Sequence, residues 1–342
     1  MKKIRVLIVD DSTLVRLMLD RILSNDASIE VIGHAADPYE AREKIKRSQP
    51  DVITLDIEMP KMDGITFLKN LMRLRPIPVV MISSLTHKGA DITIKALSLG
   101  AVDFVCKPSG DLKQQLVSYG DEIINKVKNA ANANVTSTAS NNALIKKAPI
   151  HQNNRFEVIG LGASTGGVDA IKTIVTRLPT GLPPIVVVQH IPDVFSTSFA
   201  KRLDNMTDLK VIEVRQAIVM QPSHLYIAPG DDHLFIERVH GKLVVNINHN
   251  DPVNLHRPSI DIMFESIAKT SGKRSIGVIL TGMGSDGVNG LLQIKRNNGI
   301  TIAQDKESSV VWGMPGAAIA SDAVSKVISL NRIADALVRM NH

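Results

Sequence analysis

The chain has 342 residues, enough for about two domains that each bury a core. Hydrophobic residues make up 44% and charged residues 22%, as in globular proteins, and the net charge of +6 is mild. Aromatic residues are only 3%, which argues against base-stacking platforms for nucleic acid, and the single cysteine excludes an intrachain disulfide. The apolar stretch before Asp10 is too short for a signal peptide and no stretch is long enough to span a bilayer, so we expect a cytoplasmic protein without membrane insertion.

Residues 1–129 alternate between strand and helix patterns. Their short runs of Val, Ile and Leu are typical of strands that are buried on both faces. A helical period follows Ser12, which is a plausible N-cap. Five βα units with short links predict a doubly wound, flavodoxin-like domain with five parallel strands. The strand candidates are IRVLIVD, IEVIGHA, DVITLDI, PVVMISS and DFVCKP.

Residues 130–154 are rich in Asn, Ala, Ser and Thr and have no apolar period, which predicts a flexible linker. From residue 155 to 342 the strand–helix alternation resumes and predicts a larger, Rossmann-like α/β domain. Residues 217–249 carry turn signals between alternating runs, which indicates an insertion of antiparallel β-hairpins. The remaining strand candidates are FEVIGLG, PPIVVVQH, KVIEV, RSIGVIL and GITIAQ.

Charged and hydroxyl side chains follow the predicted strands of the first domain. In an open parallel sheet, functional groups gather at the carboxyl ends of the strands, which here carry Asp10, Asp11, Asp56, Ser83 and Lys107. Clustered carboxylates repel each other, and a hard divalent cation such as Mg²⁺ resolves the repulsion. The same cation, a lysine and a hydroxyl can bind phosphoryl oxygens, so a carboxylate in this group is a reasonable phosphoryl acceptor.

The first domain resembles the receiver domain of response regulators. The resemblance implies that Asp56 accepts a phosphoryl group from a CheA-type histidine kinase. It implies a Mg²⁺ site formed by Asp10, Asp11, Asp56 and backbone near Glu58. The motifs that carry the resemblance are VDDS (9–12), LDIEMPKMDG (55–64), MISS (81–84) and the pair Lys107-Pro108.

The receiver resemblance also assigns roles around the phosphoryl group. Ser83 and Lys107 would read the phosphoryl group, and Phe104 matches the aromatic switch position. Phe104 fits a buried residue of the fifth strand equally well. The added charge of about −1.5 to −2 would bias a two-state surface of the domain.

The stretch VIGLGASTGG (158–167) has two competing interpretations. A dinucleotide-binding turn needs a third glycine where Thr165 stands, and an acidic residue about 20 positions further on, where the chain instead has His190. The pattern G-x-S-x-G is present at Gly162, Ser164 and Gly166, and it typically exposes a nucleophilic serine on a strand-to-helix turn. The serine interpretation is therefore favoured.

A base and an orienting acid are available at other predicted strand ends. His190 follows the next strand, and Asp286 follows the strand RSIGVIL. Each residue alone is typical of a turn, a cap or a solvated site. Their convergence at one edge of a sheet predicts a Ser-His-Asp triad in an order that differs from that of α/β-hydrolases. His256 is a candidate for lining the site, whereas His224, His233, His240 and His249 are predicted to be surface residues.

Residues 156–342 resemble the catalytic domain of the chemotaxis protein-glutamate methylesterases, the CheB family. The resemblance implies a serine esterase that removes methyl groups from glutamates of chemoreceptors, releases methanol and deamidates receptor glutamines. It implies an oxyanion site at Thr165, Gly166 and Met283, no cofactor in this domain, and a monomer. The matching stretches are LGASTGG (161–167), QHIP (189–192), APGDDHL (228–234), HRPSID (256–261), LTGMGSDG (280–287) and WGMPGAA (312–318).

Three other functions are compatible with parts of the sequence. Receivers often precede DNA-binding domains, but the second half has a βα pattern and is long for a helix-turn-helix unit, so no nucleic-acid partner is expected. A nucleotide-dependent enzyme could use the Gly-rich turn. A non-catalytic binding module could carry the three triad residues by accident.

Overall fold

The computed structural model describes residues 2–83, 86–107, 112–135 and 154–341. The chain divides into two compact units, residues 1–141 and 142–342. The last helix of the first unit ends at Ala131. Residues 136–153 lie outside the described residues, so the linker at 130–154 stays a prediction.

The first unit contains a five-stranded sheet in the order β2-β1-β3-β4-β5, and all of its strand pairs are parallel. This is the doubly wound topology that the sequence predicts. The central strands β3 and β4 are fully buried because helices cover both faces of the sheet. The strands are β1 (Ile4–Val9), β2 (Ile29–Ala35), β3 (Val52–Asp56), β4 (Val79–Ser83) and β5 (Asp103–Cys106).

Short polar side chains begin the helices of this unit whose first turn and preceding residue are both described. Ser12 caps the first helix and accepts a hydrogen bond from the Val15 N–H, as predicted. Asp37, Asp63 and Thr86 cap the next three helices in the same way. The helices are α1 (Thr13–Ser24), α2 (Pro38–Ser48), α3 (Gly64–Leu74), α4 (His87–Ser98) and α5 (Leu112–Ala131).

The second unit is built on a seven-stranded sheet in the order β15-β14-β13-β6-β7-β10-β8, again with parallel pairs throughout. The strand order reverses at β6, which lies between β13 and β7. Crevices at such switch points are the usual binding sites of open α/β sheets. The strands are β6 (Val158–Ala163), β7 (Ile185–Gln189), β8 (Lys210–Glu213), β10 (His224–Ile227), β13 (Ser275–Ile279), β14 (Ile300–Gln304) and β15 (Lys326–Ile328).

The predicted hairpin insertion exists but is smaller than residues 217–249. Three strands form a separate antiparallel sheet in the order β11-β12-β9. Strand β10 lies inside the predicted range but pairs in parallel with β7 and β8, because its apolar side chains, Tyr226 included, are buried in the main sheet. The antiparallel strands are β9 (Ile218–Val219), β11 (His233–Val239) and β12 (Lys242–Asn248).

Glycines on β6 allow a helix to lie close to the main sheet. A Cβ atom on Gly160 would lie 2.6 Å from Ile267 Cδ1, and one on Gly162 would overlap Ile260. Both isoleucines and Phe264 are on helix α8, so these glycines serve helix–sheet packing. The helices of this unit are α6 (Gly167–Val175), α7 (Asp193–Asp204), α8 (Ile260–Ser271), α9 (Val288–Arg296), α10 (Met314–Ala320) and α11 (Leu330–Asn341).

Within the described residues, none of the helices combines the length and the hydropathy that a membrane-spanning segment requires.

Two glycines of the first unit should respond in opposite ways to alanine. A Cβ on Gly64 would overlap the backbone carbonyl oxygen of Asp56, whereas one on Gly120, inside α5, would meet Ile22 Cγ2 at an ordinary 3.7 Å. We expect Gly64→Ala to lower the free energy of unfolding by about 1–3 kcal/mol. Gly120→Ala should raise it by about 0.5–1 kcal/mol, because alanine favours the helix. Urea denaturation of the two variants checks this, and equal effects would contradict it.

Candidate functional site

Three carboxylates and a lysine meet at the carboxyl edge of the first sheet. Asp10 and Asp56 are buried, Asp11 is exposed, and one oxygen of each lies within 4.8 Å of the others. Lys107 Nζ lies 3.1 Å from Asp10 Oδ2 and 2.9 Å from Asp56 Oδ1. The structure therefore brings together the acids and the lysine that the sequence predicts at one site.

Burial makes this cluster electrostatically unusual. Burial and the neighbouring Asp10 carboxylate raise the pKa of Asp56 to about 6, although Lys107 acts in the opposite direction. Burial alone would lower the pKa of Lys107, but the Asp56 and Asp10 carboxylates outweigh it and raise that pKa. The single ammonium group of Lys107 therefore does not balance the two buried carboxylates, Asp10 and Asp56.

The donor set suits a hard cation. Asp10 Oδ2 is buried and accepts no hydrogen bond from the described residues, although Lys107 is close. Carboxylate oxygens are the preferred ligands of Mg²⁺. A cavity of about 200 Å³ adjoins the cluster and has room for a phosphoryl group; it is lined by Asp11, Asp56, Ile57, Glu58, Gly89 and Lys107.

The two other residues with predicted roles in this domain, Ser83 on β4 and Phe104 on β5, are buried. Ser83 ends β4, is fully buried, and its Oγ accepts a hydrogen bond of 2.7 Å from Thr93. The backbone carbonyl of Ser83 accepts a hydrogen bond from the N–H of Lys107. Phe104 is 5% exposed, and Lys126 Nζ lies 4.9 Å from its ring centroid while donating to its carbonyl.

In the second unit, Ser164 occupies a tightly held turn between β6 and α6. Its N–H donates to the Thr281 carbonyl at 3.1 Å, and its own carbonyl accepts from Gln189 Nε2 at 2.9 Å. Gly166 adopts φ +77°, a left-handed conformation that favours glycine, directly before α6. The serine side chain is partly exposed.

His190 lies at the end of the neighbouring strand β7. Its N–H donates to the carbonyl of Ala163, the residue before Ser164. Its Nε2 lies 2.9 Å from Asp286 Oδ2. Its Nδ1 is buried and has no hydrogen-bond partner among the residues that the structure describes.

Asp286 is almost fully buried and is surrounded by donors. Besides His190, it accepts hydrogen bonds from Asn254 Nδ2 and Ser259 Oγ, each 2.8 Å, and from the Ile260 N–H at 2.7 Å. Burial favours the neutral acid, but His190 and these donors hold the pKa of Asp286 well below its usual range. An ionised carboxylate only accepts hydrogen bonds, so Nε2 of His190 carries the proton of this bond; in the neutral imidazole, the lone pair is then on Nδ1.

The predicted oxyanion residues lie on two neighbouring turns. Thr165 and Gly166 follow Ser164 directly. A Cβ atom on Gly282 would be 2.7 Å from Ser164 Cβ, so the backbone that leads into Met283 passes close to the serine. The Met283 side chain is 47% exposed.

Both halves of the chain match known families. The CheB methylesterase family model matches residues 159–337, and the response regulator receiver domain model matches residues 6–118. The chain belongs to the CheB family.

Full-length relatives and a solved structure agree with this membership. The protein-glutamate methylesterase/protein-glutamine glutaminase of Hydrogenovibrio crunogenus is 46% identical and covers 99% of both chains. One from Xanthomonas euvesicatoria pv. vesicatoria is 49% identical over 99% of this chain and 97% of its own. The crystal structure of the Thermotoga maritima CheB methylesterase catalytic domain is 37% identical, with a TM-score of 0.53, and covers 54% of this chain and 98% of that chain.

Several residues around the CheB-family site were not predicted from the sequence. Asn254 and Ser259 donate hydrogen bonds to the Asp286 carboxylate. Gln189 donates one to the backbone carbonyl of Ser164. Ser259 and Gln189 are part of quoted motifs, HRPSID and QHIP, but a motif does not indicate which side chain bonds to which. Asn254 lies outside these motifs and gives no sequence signal.

Two histidines, His256 and His233, contact residues of the candidate triad or of its supporting loop. The ring of His256 stacks on His190 with centroids 3.8 Å apart and planes 14° apart, which agrees with its prediction as a site-lining residue. The surface prediction for His233 is wrong, because its side chain is 1% exposed. Its Nδ1 accepts from the Ser259 N–H and its Nε2 lies 3.0 Å from the Asp251 carbonyl, so it supports the loop around Asp286.

Because the pKa of Asp56 is raised, we expect Asp56→Asn to increase the free energy of unfolding, by an amount that depends on pH. The pKa is about 6 in the folded protein and near 3.8 ordinarily, so the folded state binds more protons between these pH values and loses stability as pH rises through them. Asparagine removes this loss. We expect unfolding in urea, without divalent cations, to cost about 1–3 kcal/mol more than for wild type at pH 8. The gain should vanish near pH 4; a gain independent of pH would contradict the interpretation.

Proposed function

We propose that this chain is a phosphorylation-regulated serine esterase that hydrolyses glutamate methyl esters on chemoreceptors and deamidates receptor glutamines. The observation that carries the proposal is the hydrogen bond between His190 Nε2 and the buried Asp286, with Nδ1 left free to accept a proton. The relatives named as methylesterases and glutaminases over nearly the whole chain support the substrate class.

The proposed reaction begins at Ser164. Its hydroxyl attacks the ester carbonyl while His190 Nδ1 removes its proton. The ionised Asp286 stabilises the imidazolium and keeps the proton of Nε2 in place. The tetrahedral intermediate collapses as Nδ1–H protonates the departing methanol, or ammonia when the substrate is a glutamine amide. Water then hydrolyses the acyl-enzyme with the same base.

Backbone N–H groups near Thr165, Gly166 and Met283 are proposed to stabilise the oxyanion. The turn at Ser164 precedes α6, and free N–H groups with the positive end of a helix dipole favour negative charge there. The close approach of Gly282 to Ser164 supports a contribution from the second turn. No cofactor is required in this unit.

The receiver is proposed to accept a phosphoryl group on Asp56 from a CheA-type histidine kinase. Asp10, Asp11 and Asp56 would hold Mg²⁺, which would neutralise charge on the phosphoryl oxygens when bound. Lys107 and Ser83 would bind the phosphorylated side chain. The buried, under-compensated acids and the adjoining cavity support these roles. We propose that the protein acts as a cytoplasmic monomer on its receptors.

Ser164→Ala should abolish methanol release from methylated receptors. Loss of a triad nucleophile lowers kcat by about 10⁶ in a comparable enzyme, and we expect a similar loss here. Gas chromatography of methanol released from receptor-containing membranes measures this. Ser321→Ala replaces an exposed serine outside the site and is the control. Activity of Ser164→Ala within tenfold of wild type would eliminate this serine as the nucleophile.

Phosphorylation should raise the esterase activity through Asp56. We expect acetyl phosphate with Mg²⁺ to increase the rate of methanol release by about 5- to 150-fold, the range given by a coupling free energy of 1–3 kcal/mol. EDTA should prevent the increase, since carboxylates alone bind phosphoryl oxygens poorly. Asp56→Asn should retain the basal rate and lose the increase. Stimulation of this variant equal to wild type would place the acceptor elsewhere.

A further inference from the structure

The residues Val253–His256 form a tight turn beside the candidate triad. The N–H of Val253 donates to the His256 carbonyl at 3.0 Å, and the N–H of His256 donates to the Val253 carbonyl at 2.9 Å. The two central residues, Asn254 and Leu255, both have left-handed backbone conformations, with φ of 53° and 65°. This is the pattern of a two-residue hairpin turn.

One of the two central residues of the turn, Leu255, disfavours the backbone conformation that it adopts. Asparagine tolerates the left-handed region, but a leucine there costs about 1–2 kcal/mol. The Leu255 side chain is 96% exposed and therefore gains nothing from burial. Strain of this kind persists when the surroundings fix the geometry, and it clusters at functional sites. The contacts of its two neighbours, Asn254 and His256, hold the turn in this geometry.

Asn254 bridges two buried carboxylates. Its Nδ2 donates to Asp286 Oδ1 and to Asp261 Oδ2, each at 2.8 Å. Asp286 and Asp261 are 2% and 3% exposed, so each needs donors in place of water. Asp261 is held in turn by the N–H of Gly290 at 2.7 Å. The two hydrogens of one amide thus fix the spacing of the two acids.

His256 covers one face of the His190 ring. The parallel rings, 3.8 Å apart, leave the His190 imidazole little freedom to rotate on that side. Burial and the neighbouring His190 lower the pKa of His256 to about 4, so the covering ring is neutral near pH 7 and presents no cation to an imidazolium. A neutral flat ring can therefore orient the base without opposing its protonation.

We propose that the Val253–His256 turn is a positioning element for the acid–base pair. Asn254 fixes the Asp286 carboxylate, and His256 fixes the plane of the His190 ring. One short strained turn thereby sets the mutual orientation of both groups. Neither residue exchanges protons with the substrate. This inference rests on the proposed esterase function.

The test measures kcat and KM for methanol release in the full chain. We expect His256→Ala and Asn254→Gly each to lower kcat by about 10- to 100-fold, because small misplacements of a base have effects of that size. KM should change by less than about threefold, since ground-state binding is untouched. Glycine at position 254 keeps the left-handed backbone and removes only the amide.

Matched controls exist elsewhere in the chain. His249→Ala removes an exposed histidine that is paired with Asp232, and Asn298→Gly replaces another left-handed asparagine, with φ of 63°. Both should retain the wild-type kcat. His256→Phe keeps a planar ring and should restore kcat to within about threefold of wild type. Thermal unfolding of every variant checks that the fold is retained.

The outcomes separate the positioning role from the proposed function. Folded His256→Ala and Asn254→Gly with the kcat of their controls would overturn the positioning role while the esterase function stood. A rise in KM alone would assign the turn to substrate binding and also overturn it. A kcat for His256→Phe as low as for His256→Ala would overturn the stacking role. Wild-type protein without methanol release would overturn the proposed function itself, and the inference with it.

Discussion

The second unit is organised around the buried carboxylate of Asp286. Asp286 is 2% exposed, and without compensation a carboxylate in this position would be protonated. Hydrogen bonds from His190, Asn254, Ser259 and the N–H of Ile260 keep it ionised. This charge selects the imidazole tautomer in which Nδ1 can act as a base. The donors to this carboxylate thereby support the chemistry proposed for Ser164.

In the first unit, the pKa of a buried carboxylate shifts in the opposite direction. Asp56 has one lysine and one backbone donor, and its pKa is raised, whereas that of Asp286 is lowered. A fully satisfied carboxylate is a stable orienting group for a base. An under-compensated pair beside a cavity gains from a cation and a phosphoryl group. The same side chain therefore suits two roles, and the number of donors around it decides between them.

The sheets determine where these groups can meet. The main sheet of each unit is parallel, so the residues that follow its neighbouring strands converge at one edge. Ser164 and His190 follow the adjacent strands β6 and β7, and Asp286 lies in the loop after β13 on the other side of β6. The glycines that give this region the look of a nucleotide-binding turn instead allow α8 to pack against β6. That helix begins at Ile260, whose N–H binds Asp286, so close packing and the site depend on each other.

The sequence by itself determined the two α/β domains, most of their strands, and the side chains that stand at the strand ends. These follow from local apolar periodicity, which is set by burial on one or both faces of an element. The main-sheet pairing of β10, the burial of His233 and the contacts of Asn254 came only from the tertiary structure. Each depends on residues that are distant in the chain and on the need to satisfy buried polar groups. A short apolar run or a lone asparagine has the same sequence pattern whether it is buried or exposed. Only the packed structure therefore decides which partner it has.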